Sequence, residues 1–574
     1  MKWKRPVSIL CAAALLLSMA ACGTSAGGDG NAPAVSAAPD ASPSSSAAAG
    51  SGTSSSPSAE LPDDGYETEG AVTLTFTDSG ISGSGSGFEA DGTALTITDA
   101  GTYLLSGSCT DGSVKVKKGV TGVTLVLSGL TLTSADTAPI TCAKSSGVTI
   151  VAAADTVNTL TDAAQNNDDE YPDNENAENA VIKCKDGSQV TLRGIGTLNL
   201  IANGKNGIKS GATSEEEGEA WLLIRDLTLK IDTAVNDGIN AEQLLTIESG
   251  SITVSAADDG IHCDLTMYVG AEGTDGPDIT ITQCYEGLEA AELNIASGSI
   301  VIHASDDCLN AANSDLSGYA FALNISGGTL VMDTTGGDGI DSNGGLTVTG
   351  GTVVVWTANT ADNQPLDADG TISITGGTVL AAGGSAGMGM NLAAGQAYVV
   401  FGSGSFGGPG GFAGGQSGLS IASGSAVEIR SAQGEVLYSG SALCQGSYLF
   451  FSSAELTSGE SCALYVDGTS VSESTASTDA MSEGGMGGGP GGMGGWQPGA
   501  PSDGNGEPPS MPGGESGQDG QQPPSGGEGQ PTPPSGGNGQ PPAMPGGGNG
   551  QNGQQPPSGG QPGGKQAPSG GTDV

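Results

Sequence analysis

Positive charge is what this sequence has least of: 16 Lys and Arg stand against 63 Asp and Glu, for a formal charge of -47. A chain this acidic, with a pI near 4.1, is repelled as a whole by nucleic acid and by an anionic membrane surface, which argues against both as partners. Between Lys230 and Arg430 there is no Lys or Arg, although Asp and Glu are frequent there. Divalent cations are the natural counter-charge for such a stretch. Histidine is almost absent, with only His262 and His303, and no Cys-x-x-Cys pair occurs. That argues against a zinc site. Helical periodicity is missing, which excludes a helical bundle, and no segment beyond the N-terminal leader is long and apolar enough to span a bilayer.

The leader carries Lys2, Lys4 and Arg5 ahead of an apolar run from Val7 to Met19, the pattern of a secretory signal over residues 1–21. It ends at Met19-Ala20-Ala21-Cys22, which resembles the lipobox of bacterial lipoproteins, so Cys22 is expected to carry lipid and to be the only membrane attachment. Ordinary cleavage near Ala21, with Cys22 incidental, is the alternative. The expected location is the extracellular face of a cell membrane. Residues 22–65 are Ser, Ala, Pro and Gly, and residues 471–574 are dominated by Gly, Pro, Gln and Ser. Neither can bury a core, so both are expected to be disordered. Of ten cysteines, Cys444 and Cys462 have a separation that could close a disulfide. Cys142, Cys184, Cys263, Cys284 and Cys308 sit at strand-like positions where a small buried residue is equally natural, so connectivity stays open.

What the middle of the chain has is repetition. Short β-rich runs recur between turns of Gly, Asn and Asp: Val123 to Leu127, Val148 to Val151, Val190 to Leu192, Leu227 to Ile231, Ile252 to Val254, Ile279 to Ile281, Ile300 to Ile302 and Leu346 to Val348. Between them an acidic turn returns as Asn236-Asp237-Gly238-Ile239-Asn240, Asp258-Asp259-Gly260-Ile261-His262, Glu286-Gly287-Leu288-Glu289, Asp306-Asp307-Cys308-Leu309-Asn310 and Asp338-Gly339-Ile340-Asp341. The closest copies are spaced by 21 or 22 residues and the widest by 31. A repeat of that period signals a solenoid, one repeat per coil. The expected fold is all-β, a right-handed parallel β-helix over residues 66–396 with a small β cap over 397–470, as a monomer. A β-sandwich is the alternative, but sandwiches do not normally repeat one acidic turn.

Coils stack at about 4.8 Å, so equivalent residues lie above one another. Like charges at that separation repel by about 3.5 kcal/mol per pair at an effective dielectric of about 20. A hard cation with six to eight oxygen ligands relieves this, and calcium is therefore the expected cofactor. Asp237 and Asn240 with Asp258 and Asp259 are expected to form one site. Glu286 and Glu289 with Asp306, Asp307 and Asn310 form a second, and Asp338 and Asp341 with Asp367 and Asp369 a third. Solvated Asx turns are the competing account.

The repeated Asp-Asp-Gly-Ile turn, Gly101 to Gly107 (Gly-Thr-Tyr-Leu-Leu-Ser-Gly) and Val123 to Leu130 resemble a family of bacterial parallel β-helix carbohydrate-binding proteins, similar in fold to family nine polysaccharide lyases. The resemblance spans roughly residues 66 to 470 and implies calcium together with plant-wall polysaccharide such as cellulose or pectin. The lyases hold calcium with an acid on one coil and Asp-Asp-x-x-Asp on the next. Asp258-Asp259 and Asp306-Asp307 match, but the last position is His262 or Asn310.

A calcium-dependent lyase needs a Lys or Arg base, and the acidic stretch contains neither. Lys205, Lys209 and Lys230 lie only at its N-terminal edge. A hydrolase of polygalacturonase type needs paired acids, which are present, but no accompanying Gly-His-Gly or Arg-Ile-Lys element occurs. A non-catalytic polysaccharide binder needs only a face edged by metal and aromatic rings, for which Trp221, Tyr268, Tyr285, Tyr319 and Trp356 are the candidates. A structural or adhesive stalk also fits the long tails.

Overall fold

The computed structural model describes Tyr66 and residues 69–358, 363–384, 390–402 and 419–481, all within one compact unit, Met1–Pro490. The leader, Cys22, the linker over 22–65 and the chain beyond residue 481 lie outside the described residues. Among the described residues there are strands and no helices, and 33 strands join one long, mostly parallel sheet.

The register shows how the repeat is used. In each repeat the chain passes through three ladders in the same order. Asn206–Ser210, Trp221–Ile224 and Thr228–Thr233 are followed by Ile239–Ala241, Leu244–Ile247 and Ser251–Ser255, each pairing in parallel with its counterpart one repeat earlier. The same order holds through Ile340–Ser342, Gly345–Val348 and Thr352–Thr357. Alternation then builds the core in stacks. In the first ladder Ile208, Ile239, Ile261, Leu288, Leu309 and Ile340 lie in register and are all fully buried. Each contributes roughly 1.5–3 kcal/mol of burial. The segments expected as acidic turns thus run on into short strands of their own, and the residue after each buried Ile or Leu faces outward.

Glycine precedes most of these residues because successive repeats of the three ladders, termed coils, approach too closely for a side chain. A Cβ on Gly238 would lie 2.5 Å from the carbonyl oxygen of Gly260, and one on Gly287 would lie 2.2 Å from that of Cys308. Cys308 takes the equivalent place in its own coil, buried, and its N–H reaches Asp338 O at 3.2 Å, against 2.9 Å for Gly238 to Asp259 O.

Both ends of the sheet switch to antiparallel pairing. Val72–Thr77 pairs with Gly80–Gly83, and Phe88–Asp91 with Ala94–Ile97. At the other end Thr378–Gly383 pairs with Tyr448–Ser453, which also pairs with Tyr398–Phe401. A four-stranded antiparallel sheet of Ala426–Ser431, Val436–Ser441, Ser461–Val466 and Thr469–Thr475 completes the expected cap. The boundary expected at residue 470 falls inside the last of these strands, and Met481 still donates its N–H to Leu392 O at 2.9 Å. Trp356 is fully buried in the cap's own core with Phe401, Leu449 and Phe451, so it cannot stack on a sugar. The bridge that Cys444 and Cys462 could have closed is not formed. Both are free thiols, Cys462 buried in the cap and Cys444 with its Sγ 3.7 Å from Thr334 O on the coils.

We expect Gly287→Ala to destabilise the fold by about 1–3 kcal/mol in urea unfolding, the usual range for overpacking. An unchanged unfolding midpoint would show that the coils can part to admit a methyl group.

Candidate metal centre on the acidic columns

Two stacked columns carry the chemistry. The first is formed by the residue before each glycine. Gly238 donates its N–H to Asp259 O, Gly260 to Glu286 O, Gly287 to Asp307 O, Cys308 to Asp338 O and Gly339 to Gln364 O, which aligns Asp237, Asp259, Glu286, Asp307, Asp338 and Gln364. The side chains are tied along this column as well. Asp237 Oδ1 accepts the N–H of Asp259 at 3.2 Å, Asp307 Oδ1 that of Asp338 at 2.6 Å, and Asp338 Oδ1 that of Gln364 at 2.6 Å. Each of these acids therefore caps the coil that follows, which is the structural half of its role. Its second carboxylate oxygen is left for other partners.

The second column is the outward residue three positions on: Lys209, Asn240, His262, Glu289, Asn310 and Asp341 in strand register, with Asp367 following through its N–H to Ile340 O at 2.8 Å. Together the columns make a repeated box of an acid and its i+3 neighbour from one coil with the i+3 residue of the next. In Asp259, His262, Glu289 and in Asp338, Asp341, Asp367 the ligand atoms lie within 4.8 Å of one another, and either group could hold a metal ion. Elsewhere in the stack Asn240 Nδ2 donates to Asp237 Oδ2 at 2.6 Å, and Asn310 Nδ2 to Glu286 Oε2 at 2.8 Å.

The groupings expected from spacing change accordingly. Asp259 and Glu289, assigned to different sites, share one box with His262, a residue sequence reasoning left out of the ligand set although it occupies the i+3 position. Asp338, Asp341 and Asp367 meet as expected, while Asp369 is exposed two residues further on. Asp258 and Asp306 fall on a neighbouring outer column with Tyr285, linked by Tyr285 N–H to Asp258 O at 2.8 Å and Asp306 N–H to Tyr285 O at 2.9 Å.

The electrostatics separate the boxes. Burial, then the neighbouring carboxylates, raises Asp237 to about 6, Glu286 to about 8, Asp307 and Asp338 to about 7 and Asp341 to about 6. Burial on its own would lower the His262 imidazole, but hydrogen bonds to Asp259, Asp264 and Glu289 outweigh it and hold the ring at about 12. His262 is thus the internal cation of its own box. The box of Asp338, Asp341 and Asp367 has no such cation. Two buried oxygens in these columns, Asn310 Oδ1 and Gln364 Oε1, have no hydrogen-bond partner. An oxygen-only set with unsatisfied oxygens suits a hard cation and not zinc.

Of the aromatic candidates, Tyr285 is 47% exposed and stands beside this centre, where the neighbouring Asp306 carboxylate pushes its phenol up to about 12. Trp221 and Tyr268 lie on the second ladder, and Tyr319 packs against Phe321 with ring centroids 5.5 Å apart.

A protein-family model described as "Carbohydrate-binding domain-containing protein" matches residues 91–387, just over half the chain. The chain belongs to that family. It is also similar to a solved structure described as the polysaccharide lyase-like protein from C. thermocellum, in a gadolinium derivative, with 22% identity over 53% of this chain and 97% of that one and a TM-score of 0.33. No curated protein matches.

The raised carboxyls set a sign for stability without metal. Each holds its proton more tightly folded than unfolded, so its contribution is full below the unfolded values of 3.8 and 4.5 and is lost as pH rises through about 6, 7 and 8. His262, raised from 6.5 to about 12, acts in the same direction above neutrality. In a chelator the melting temperature should fall between about pH 5 and about pH 8, and an added divalent cation should remove the fall. A chelated protein that melts at one temperature across that window would contradict this.

Proposed function

We propose that the three ladders close into a right-handed parallel β-helix that holds calcium in its acidic columns and binds an acidic polysaccharide of plant-wall type, such as pectin, without cutting it. The observation that carries this reading is the pair of buried, partnerless oxygens, Asn310 Oδ1 and Gln364 Oε1, among carboxylates pushed towards neutrality. Asp338, Asp341 and Asp367 with Gln364 would hold one ion. Glu286, Glu289, Asp307 and Asn310 would hold another. When bound, calcium supplies the positive charge that a uronate carboxylate needs on this acidic face, and the exposed ring of Tyr285 offers a sugar-stacking surface beside it. Membership of the carbohydrate-binding family supports a polysaccharide partner. Secretion, a lipid on Cys22 and a monomeric state complete the reading; a tethered glycan-holding protein needs no second copy.

One observation favours a second reading, a calcium-dependent lyase. Lys183 and Lys209 stand in register two coils and one coil before His262's neighbour Asn240, with Lys209 Nζ donating to Asn240 Oδ1 at 2.8 Å. Burial, then Lys209, holds the Lys183 ammonium below its ordinary value, as a proton-abstracting base requires. The two readings part on product. Full-length protein incubated with polygalacturonate and calcium should be retained on the polymer with no rise in unsaturated-product absorbance. Product formation that Lys183→Ala abolishes would establish the lyase, and neither retention nor product leaves a stalk.

Calcium itself is tested separately. With the ion at about 100 times its Kd, chelation should remove about 2.7 kcal/mol of stability, and Asp338→Asn with Asp341→Asn should make the melt insensitive to chelator at that site. A wild-type melt unchanged by chelation would retire calcium.

A further inference from the structure

The outward column that becomes acidic at Glu289 begins as a basic one. Upstream of Asn240 it reads Lys115, Thr141, Lys183 and Lys209 in strand register. A second column two residues over reads Lys117, Ala143 and Lys185, fixed by Ala143 N–H to Val116 O at 3.1 Å and Lys185 N–H to Cys142 O at 2.9 Å. In these two columns, lysine-bearing coils therefore flank a coil that places the small residues Thr141 and Ala143 there. The result is a depression of about 510 Å³ floored by Ala143 and lined by Lys115, Lys117, Lys118, Lys144 and Lys185, with Glu89 the one carboxylate on its wall.

Five of the chain's 16 cations thus gather around one hollow in a protein that carries 63 acidic residues. Three are held from outside it: Lys118 by Glu217 at 2.7 Å, Lys144 by Asp186 at 2.8 Å and Lys185 by Glu178 at 2.6 Å. None of those three carboxylates lines the hollow, so they steady the ammonium groups at its rim without filling it. Lys115 and Lys117 are exposed and have no ion pair among the described residues. Ammonium groups so placed repel one another, and the repulsion falls when an anion lies between them.

We propose that this hollow is a second, metal-independent binding site that takes the carboxylates of an extended acidic polysaccharide, a polyuronate. It deepens the polysaccharide reading above and rests on it. The lysine rungs are two coils, about 9.6 Å, apart, which suits a chain bearing charges at intervals and not a single small ion. Lysine, a point charge on a flexible stem, follows such charges without demanding one geometry. Because the hollow and the acidic columns share one outward face, one uronate chain reaches ammonium groups at the N-terminal coils and metal at the later ones.

The test uses the full chain in EDTA at low ionic strength, with polygalacturonate oligomers followed by calorimetry. Binding should persist without metal, weaken as salt is added, and fall at least tenfold in the double variant Lys115→Gln, Lys117→Gln, whose melting temperature should stay that of the wild type. Asp338→Asn should leave this binding intact while removing calcium-dependent retention, so the two sites fail independently. Absence of binding in EDTA, or equal binding by the double variant, overturns the proposal and leaves the calcium reading standing. Tighter binding of dextran sulfate than of polygalacturonate overturns the assignment to carboxylates.

Discussion

The constraint on which everything else depends is the backbone ladder between coils. Once Gly238 bonds to Asp259 O, Gly260 to Glu286 O and Gly287 to Asp307 O, the nearest neighbour of an outward side chain is no longer a residue close in sequence but its counterpart one coil away. Buried positions profit, since Ile over Ile packs without gaps. Outward positions suffer whenever they repeat a charge. The chain meets this in three ways along one face: lysines alternating with Thr141 and Ala143 at the first coils, an imidazolium at His262, and clustered oxygens with no internal cation around Asp338.

The fold was legible because alternation and repeat length are properties of the sequence itself. Every β-rich run named from the sequence overlaps a strand, and the acidic repeats mark the ladder on which they lie. The cap was legible as a change of pattern after residue 396. What sequence could not show was which side chains at each turn look across to the next coil. Asp258 and Asp306 read as equals of Asp259 and Asp307, yet they stand one column further out beside Tyr285. Nor could spacing reveal that Trp356 is covered by the cap, because the strand that covers it arrives some 90 residues later, at Tyr448–Ser453. Cys444 and Cys462 both pack in the cap's apolar cluster yet are free thiols, because separation along the chain does not show whether two sulfurs in one core meet.

The lysine hollow was hidden differently. Lys115, Lys117, Lys144 and Lys185 are scattered over 71 positions, and loops of unequal length separate their coils. Composition by segment shows only that cations thin out after Lys230. It takes the register to turn that gradient into a face that is basic at one end and acidic at the other.

The boxes are not separate containers, because each i+3 side chain belongs to two of them. Asn310 serves Glu286 on one side and faces Asp341 on the other, and Glu289 is shared in the same way. A donor oxygen committed to one ion is withdrawn from the vacant seat beside it, and two divalent charges in adjoining seats would repel across a single strand spacing. On the calcium reading, an ion in one box should therefore weaken the box beside it, so that successive ions bind with falling affinity.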